Sequence, residues 1–326
     1  MAPASGPSTG CLVFSIGITP GQICVITHEA GARFETQGLA GTQLAPQKAG
    51  NYRGLVMYPR LIDVYKQHLL DMCQLLGMNC NVPTDICFSF TGFRQRGGRT
   101  DQHSDGWGIA FFEGSGCRIF LDPAPAVASP IADLVRNFPI HSTNVIAHIR
   151  KATKGAVGLE NTHPFMRELW GRYWIFAHNG TLNDFAPLLR GDFRPVGSTD
   201  SEYAFCCILG ALRHAFPQGE PDAERLVELL AMITAELSRF GTFNYLLSNG
   251  RDLFAHCADR LQYIVRQSPF TTAHLVDDDV EVDFSELTTP QDRVAVIATL
   301  PLTDNEEWTA LQPGELAVFR DGARVA

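Results

Sequence analysis

Residues Met72 to Met78 read Met-Cys-Gln-Leu-Leu-Gly-Met, and the chain changes character at this stretch. Residues 1–72 are rich in Gly, Pro, Ser, Thr and Ala. From Cys73 onward, short apolar runs alternate with amphipathic stretches. If Met72 were the start of translation and were removed, Cys73 would carry a free α-amine beside its thiol. A nucleophile and a base would then lie on one residue.

The composition sets limits on the class of protein. A chain of 326 residues is long enough for one large domain or two ordinary ones. Its net charge is −9, without a run of Lys or Arg, so no nucleic-acid partner is expected. No apolar stretch approaches the roughly 18 residues of a membrane helix, and the N-terminus lacks the features of a secretory signal. We therefore expect a cytoplasmic protein without membrane association.

Two residue types could suggest a metal site. The nine cysteines are scattered and include no C-x-x-C pair, so apart from Cys73 we expect buried, reduced thiols. His148, His163 and His178 are too far apart in the sequence for a usual zinc motif. We expect neither a metal nor another cofactor.

The pattern of apolar residues predicts the organisation of the chain. We interpret residues 1–72 as a disordered extension, either a pro-segment or sequence upstream of the true start, and residues 73–326 as one domain. Periodicity and turn signals predict strands and helices in that domain. The predicted strands are 107–112, 145–149, 173–177, 243–248, 294–299 and 315–319, and the predicted helices are 131–137, 200–215 and 222–239. Strands at both ends with helices between them indicate an α+β domain of layered sheets and helices.

Four further motifs follow Met-Cys in a fixed order: AHIRKAT (147–153), NTHPF (161–165), FAHNG (176–180) and GSTDSE (197–202). Each motif alone is weakly informative. Together they resemble the glutaminase domain of class II glutamine amidotransferases, and most closely its stand-alone, YafJ-like branch. The resemblance implies the αββα four-layer sandwich of the N-terminal-nucleophile hydrolases, with Cys73 opening a central strand.

The same resemblance implies the catalytic residues. Cys73 would be the nucleophile, with its own α-amine as the base after removal of Met72. The side-chain amide of Asn179 and the backbone N–H of Gly180 would form the oxyanion hole. An ordinary Asn-Gly hairpin turn is the alternative for this pair.

Substrate-binding residues follow from the resemblance in the same way. Arg150 would bind the α-carboxylate of glutamine and Asp200 its ammonium group, and Thr153 and His163 match positions that line the glutamine pocket. Asp200 also fits the first turn of a helix, and both roles are compatible if that helix begins at the pocket.

The implied reaction is hydrolysis of the glutamine side-chain amide to glutamate and ammonia, through a γ-glutamyl thioester on Cys73. The partners would be L-glutamine or another γ-glutamyl compound, and a separate protein could accept the ammonia. A γ-glutamyl peptide or amide hydrolase would use the same residues. If Cys73 is not N-terminal, a catalytically silent scaffold is the alternative.

The segment from Gly92 to Gly108 contains three arginines among glycines and lacks a phosphate-binding signature. A mobile lid over the pocket and a solvated hairpin loop are equally compatible with this sequence.

Overall fold

The computed structural model describes residues 73–189 and 191–326, and the backbone of two short strands nearer the N-terminus. These strands, β1 (Ser15–Thr19) and β2 (Gln22–Ile26), pair antiparallel. The rest of residues 1–72 lies outside the described residues, so the disordered extension stays a prediction. The chain divides into two compact units, 1–69 and 70–326. Within the described ranges, no helix is both long and apolar enough to span a membrane.

The second unit contains both strands and helices. Its elements in chain order are β3 (Gln74–Thr84), α1 (Cys87–Gln95), β4 (Trp107–Glu113), β5 (Gly116–Asp122), α2 (Pro130–Asn137), β6 (Ser142–Ile149), β7 (Phe165–Leu169), β8 (Arg172–Leu182), α3 (Asp200–Ala215), α4 (Ala223–Ser238), β9 (Gly241–Ser248), β10 (Leu253–Cys257), β11 (Gln262–Gln267), β12 (Thr272–His274), β13 (Glu281–Asp283), β14 (Arg293–Ala298), β15 (Thr309–Ala310), β16 (Glu315–Arg320) and β17 (Ala323–Arg324). Single 3₁₀ turns lie at Ala126–Ala128, Leu159–Asn161 and Phe284–Glu286.

Two antiparallel sheets form the centre of this unit. The first has the strand order β15-β11-β14-β3-β6-β4-β5, so β3 is its middle strand. Gln74 pairs with Ile149 on β6, and Leu76 pairs with Ala298 on β14. Cys73 directly precedes β3, which confirms the prediction that it opens a central strand. The second sheet has the order β17-β16-β10-β9-β8-β7.

The alternation of side chains along the strands produces the layers. Leu75 on β3 faces the core between the two sheets, where it is joined by residues such as Ile146 and Leu246. Gly77 allows the sheets to approach closely, because a Cβ there would lie 3.0 Å from side-chain carbons of Leu246 and Leu253.

Helices cover both outer faces. On the first sheet, Leu76 and Met78 pack in one buried cluster with Phe90 and Phe93 of α1 and Val135 of α2. On the second sheet, α3 and α4 supply the outer cluster, which contains Phe205, Leu209, Leu226, Leu230 and Tyr245. The order helix, sheet, sheet, helix confirms the predicted αββα sandwich.

Most predicted elements are confirmed with small changes at their ends. Helix α3 has the predicted bounds because Thr199 caps it, its hydroxyl accepting the Glu202 N–H at 3.2 Å. Asp222 caps α4 in the same way, accepting the Arg225 N–H at 3.0 Å. Helix α1 was not predicted, because its N-cap residue is Ile86 and the carboxylate that accepts the Cys87 N–H, at 2.9 Å, comes from Asp85 one position earlier.

The solvated-hairpin interpretation of Gly92–Gly108 is wrong for its first half. Arg94 and Arg96 are both 5% exposed. The guanidinium of Arg94 lies 2.6 Å from the carboxylate of Asp133, and that of Arg96 lies 2.7 Å from Asp277. The Arg96–Asp277 pair is buried and the Asp133 side chain is half-exposed, and the two ion pairs hold the end of α1 against the domain. The mobile lid stays a prediction.

Candidate active site

Cys73 lies at the N-terminal end of β3, against the segment that follows β6. Its Sγ accepts a hydrogen bond from the Lys151 backbone N–H at 3.1 Å, and the thiol donates to the Lys151 carbonyl oxygen at 3.2 Å. Burial raises the pKa of the Cys73 thiol to about 11, although the Lys151 N–H and the charge of Arg150 act in the opposite direction. The thiol is therefore protonated at neutral pH and needs a base to become a nucleophile.

Asn179 brings an amide group to Cys73 from the other sheet. Its Nδ2 donates to the Cys73 carbonyl oxygen at 2.5 Å and to the Thr299 hydroxyl at 3.4 Å. The same hydroxyl accepts the Leu75 N–H at 2.9 Å, so Thr299 fixes the start of β3 and the Asn179 side chain together. The Oδ1 of Asn179 is buried and has no hydrogen-bond partner. Sequence reasoning did not single out Thr299.

Asn244 fixes the backbone of Asn179. The two residues are opposite each other on β9 and β8, and Asn244 Nδ2 donates to the Asn179 carbonyl oxygen at 3.1 Å. It also donates to the Asp259 carboxylate at 2.7 Å. The Asn244 side chain is fully buried, so water competes little for its bond to Asn179, whereas the Asp259 carboxylate lies at the surface. Sequence reasoning missed Asn244 as well, because no motif surrounds it.

Gly180 occupies a backbone conformation that requires glycine. Its φ is +154°, and a Cβ there would lie 1.9 Å from the Thr242 carbonyl oxygen. Asn179 and Gly180 are both inside β8, which continues to Leu182. The Asn-Gly hairpin turn is therefore wrong.

Arg150 directly follows β6 and is 2% exposed, so it is not a surface residue. Its guanidinium donates to the carbonyl oxygens of Lys154, Gly155 and Ala156, at distances of 2.8 to 3.2 Å. Burial lowers its pKa, while the charges of Cys73, Asp105, Glu160 and Asp200 oppose that shift. The guanidinium thus shapes the loop at 154–156 and acts electrostatically on Cys73.

Asp105 positions the segment between Arg150 and Ala152. Its carboxylate accepts the Ala152 N–H at 2.8 Å, and its backbone N–H donates to the Arg150 carbonyl oxygen at 3.2 Å. These bonds hold the segment whose Lys151 N–H reaches Cys73. The sequence Asp105-Gly106-Trp107-Gly108, at the start of the predicted strand 107–112, was the signal by which Asp105 could have been found.

Asp200 lies at the first turn of α3 and reaches the end of β8. Its carboxylate accepts the Leu182 N–H at 2.6 Å and the Ser201 N–H at 3.0 Å. The helix-start interpretation is correct, and the carboxylate also lies close to the strand that carries Gly180. Thr153 reaches the same strand, with its hydroxyl 3.1 Å from that of Thr181.

His163 lies in the interior, away from the hydrogen bonds described above. It is 3% exposed, and its ring packs on His148 with the centroids 4.3 Å apart. Burial lowers the pKa of both imidazoles well below its usual value, and at His148 a backbone hydrogen bond with His178 acts in the opposite direction. A direct role of His163 in lining the glutamine pocket stays a prediction. In the described part of the chain, no group of three or more His, Cys, Asp or Glu side chains could hold a metal ion.

Comparisons with known proteins decide the family. Residues 72–326 match the model of the family described as glutamine amidotransferases class-II. The chain belongs to this family. A candidate glutamine amidotransferase of Escherichia coli K12, YafJ, is 56% identical over 254 residues, which cover 78% of this chain and all of YafJ. A candidate glutamine amidotransferase of Haemophilus influenzae is 52% identical over 255 residues, covering 78% of this chain and 86% of that protein.

A solved structure of a candidate glutamine amidotransferase agrees with this assignment. The 2.0 Å crystal structure from Pseudomonas aeruginosa PA01 matches with a TM-score of 0.63 at 49% identity. The match covers 78% of this chain and all of that one. The family suggests an enzyme, and the residues around Cys73 are the candidates for its active site.

Proposed function

We propose that this protein is a glutaminase of the amidotransferase type, which hydrolyses the side-chain amide of L-glutamine through a Cys73 thioester. The observation that carries the proposal is the hydrogen bond that Asn179 Nδ2 donates to the Cys73 carbonyl oxygen, at 2.5 Å. The residue that carries the thiol and an amide donor from the other sheet are thus in contact through the Cys73 backbone. Formation of an oxyanion next to Cys73 requires such a donor.

The proposed reaction has two halves. The α-amine of Cys73 takes the thiol proton, and Sγ attacks the side-chain amide carbon of glutamine. The C–N bond then breaks, the proton passes from the amine to the leaving nitrogen, and ammonia departs. Water attacks the γ-glutamyl thioester, its proton returns to Sγ, and glutamate is released. In each half, Asn179 Nδ2 and the Gly180 N–H stabilise the oxyanion, each by about 3 kcal/mol.

The free α-amine is essential to this proposal. With a thiol pKa of about 11, only about one Cys73 in ten thousand is a thiolate at pH 7. A terminal α-amine has a pKa near 8 and can accept the proton at physiological pH. We therefore propose that the active protein consists of residues 73–326, produced by start at Met72 or by removal of the preceding segment.

Charge complementarity supports glutamine as substrate. Arg150 supplies a buried cation for the α-carboxylate and Asp200 an anion for the ammonium group. The charge of Arg150 acts on Cys73, and the charge of Asp200 acts on Arg150. Thr153 and His163 complete the proposed pocket. No metal or other cofactor takes part in this scheme. The enzyme would act in the cytoplasm, and a separate protein would accept the ammonia.

Glutamate release by two forms of the protein tests the proposal. The form that begins at Cys73 is expected to hydrolyse glutamine, and the full 326-residue chain is expected to be inactive. N-terminal sequencing of protein made from its own gene should give Cys73. A protein that retains Met1 and has no glutaminase activity would instead support the silent scaffold.

The choice of substrate needs a second measurement. The form that begins at Cys73 should be assayed with glutamine and with a series of γ-glutamyl dipeptides, and the values of kcat/KM compared between the substrates. We expect glutamine to be preferred. A preference for the dipeptides would identify a γ-glutamyl peptide hydrolase that uses the same residues. Cys73→Ala should abolish hydrolysis of both substrates, and Cys207→Ala, at a partly buried thiol on α3, is the matched control.

A further inference from the structure

His178 directly precedes Asn179 and Gly180 on β8 and forms a hydrogen bond with each of its ring nitrogens. Nδ1 lies 2.8 Å from the Ser201 hydroxyl, and Nε2 lies 3.1 Å from the Thr242 carbonyl oxygen. His178 and Ser201 are 2% and 5% exposed, so water competes little for these bonds. None of the reaction steps proposed above uses this imidazole.

The partners determine the tautomer of His178. A carbonyl oxygen only accepts hydrogen bonds, so Nε2 must carry a hydrogen and donate it to Thr242. In the neutral ring Nδ1 is then an acceptor, and the Ser201 hydroxyl donates to it. Burial lowers the pKa of His178, which favours this neutral form.

The Nε2 atom of His178 lies beside Gly180. A Cβ built on Gly180 would lie 2.8 Å from His178 Nε2 and 1.9 Å from the Thr242 carbonyl oxygen. The α-carbon of Gly180 therefore lies close to both the His178 imidazole N–H and the Thr242 carbonyl oxygen. Holding the Thr242 carbonyl in place also holds the backbone of Gly180, whose N–H must point at the oxyanion.

The other end of this network reaches Asp200. Ser201 donates its backbone N–H to the Asp200 carboxylate at 3.0 Å, and its hydroxyl binds His178. Asp200 also accepts the Leu182 N–H at 2.6 Å. The start of α3 is thus attached to β8 on both sides of Gly180, at positions 178 and 182.

We propose that His178, as an Nε2-protonated imidazole, is a positioning residue that orients the Gly180 N–H and links it to Asp200 through Ser201. This inference rests on the proposed glutaminase function. His178 itself does not touch the substrate. Its loss should therefore weaken stabilisation of the transition state while substrate binding changes little.

Steady-state kinetics of the form that begins at Cys73 test this role. Residues 70–326 form a compact unit, and YafJ matches that part of the chain over its whole length. His178→Phe keeps a flat ring without either hydrogen bond and should lower kcat 10- to 100-fold, with KM changed less than threefold. His178→Gln can restore the N–H donor to Thr242 and should recover most of kcat. Ser201→Ala should lower kcat by a smaller factor.

The control is His256→Phe. His256 is a buried imidazole on β10 that is 3% exposed and bonds the Phe243 carbonyl oxygen through Nδ1 at 2.6 Å. It touches neither Ser201 nor Thr242 through a hydrogen bond, so kcat should stay at the wild-type value. Equal losses in His178→Phe and His256→Phe, or no recovery in His178→Gln, would overturn the positioning role.

Nitrogen-15 NMR of the imidazole separates this inference from the proposed function. We expect a protonated Nε2 and an unprotonated Nδ1 at neutral pH, in the full chain and in the form that begins at Cys73. The opposite tautomer would refute the inference whatever the activity. If the tautomer is as expected but wild-type protein does not hydrolyse glutamine, the proposed function fails and the positioning role for that reaction fails with it. If wild-type protein is active and folded His178→Phe retains full kcat, only the positioning role fails.

Discussion

The side-chain amide of Asn179 donates to the backbone carbonyl oxygen of Cys73, although the two residues are 106 positions apart and lie on different sheets. This bond brings β8 of the second sheet to the head of β3 in the first. The amide group that we propose as an oxyanion donor is thereby held beside the backbone of Cys73 before substrate arrives. Its two N–H groups bind the Cys73 carbonyl oxygen and the Thr299 hydroxyl, so an oxyanion must replace one of these acceptors.

Replacement of Asn179 should mainly affect turnover. In the form that begins at Cys73, Asn179→Ala is expected to lower kcat about 10²- to 10³-fold, because one oxyanion donor is lost. KM for glutamine should change little, and steady-state glutamate release measures both values. Asn183→Ala, an exposed asparagine just after β8, is the control and should retain full activity. An unchanged kcat in Asn179→Ala would remove Asn179 from the mechanism.

Gly180 should not tolerate a side chain. Gly180→Ala places a methyl group against the Thr242 carbonyl oxygen and also requires a φ of +154°, so β8 and β9 must separate. We expect the free energy of unfolding to fall by about 3 kcal/mol or more, with loss of activity. Urea unfolding measures the first effect. Gly210→Ala is the contrast, because it lies in α3 with no atom within 4 Å of the new Cβ and should be neutral or stabilising.

The reactivity of Cys73 should depend on what is attached to its nitrogen. In the full chain the thiol pKa of about 11 predicts slow alkylation by iodoacetamide, with a rate that rises about tenfold per pH unit between pH 7 and 10. In the form that begins at Cys73, the free amine should make alkylation fast, with a plateau near pH 8. Peptide mass spectrometry of Cys73, with Cys207 as internal reference, distinguishes the two profiles. Identical profiles would contradict the role of the amine.

Arg150 should be irreplaceable even by lysine. Arg150→Lys keeps the charge but loses the fork that donates to the carbonyl oxygens of residues 154–156. We expect KM for glutamine to rise about 10- to 100-fold, since charge-assisted hydrogen bonds contribute about 1.5–3 kcal/mol each. Arg99→Lys, at an exposed arginine, should leave KM unchanged. A wild-type KM in Arg150→Lys would exclude Arg150 as the carboxylate-binding residue.

The stability of the protein should decrease in mild acid. His148 and His163 are buried, and burial lowers the pKa of both in the folded state. The unfolded chain takes up protons near pH 6.5 and the folded chain does not. Stability is therefore full above pH 6.5 and is lost as the pH falls below it, by up to about 1.4 kcal/mol per pH unit for each histidine.

Urea unfolding at pH 7.5, 6.5 and 5.5 measures this loss. His163→Phe removes one of the two groups and keeps a ring against His148, so the pH dependence should become shallower. An equally steep dependence in His163→Phe would show that other groups are responsible.

The layered fold and the positions of the motifs were predictable because each depends on local sequence. Thr199 and Asp222 cap their helices through side chains three residues from the N–H groups they bind, so the bounds of α3 and α4 follow from short-range chemistry. The position of Cys73 at the head of β3 followed from the family pattern. The Asn-Gly turn was a local prediction that failed, because pairing with β9 determines the conformation of β8 there.

The supporting residues were not predictable because they act over long separations in the sequence. Thr299 binds the Leu75 N–H across 224 positions, and Asn244 binds the Asn179 carbonyl oxygen across 65. Neither residue lies in a motif of catalytic residue types, and an isolated Thr just after a strand or an isolated Asn within one has no distinctive signal. Only Asp105, within the segment Asp105-Gly106-Trp107-Gly108, could have been identified beforehand.

The central place of β3 has a consequence for folding. Its neighbours are β6, about 70 residues later in the chain, and β14, more than 200 residues later. A sheet completed by such distant strands folds slowly compared with a helical protein, since long loops must close before these contacts form. During synthesis, Leu75 and Asn179 are made before residue 299, so their hydrogen bonds to the Thr299 hydroxyl form only after β14 is complete. A chain that ends before β14 therefore lacks the residue that joins the start of β3 to the Asn179 side chain.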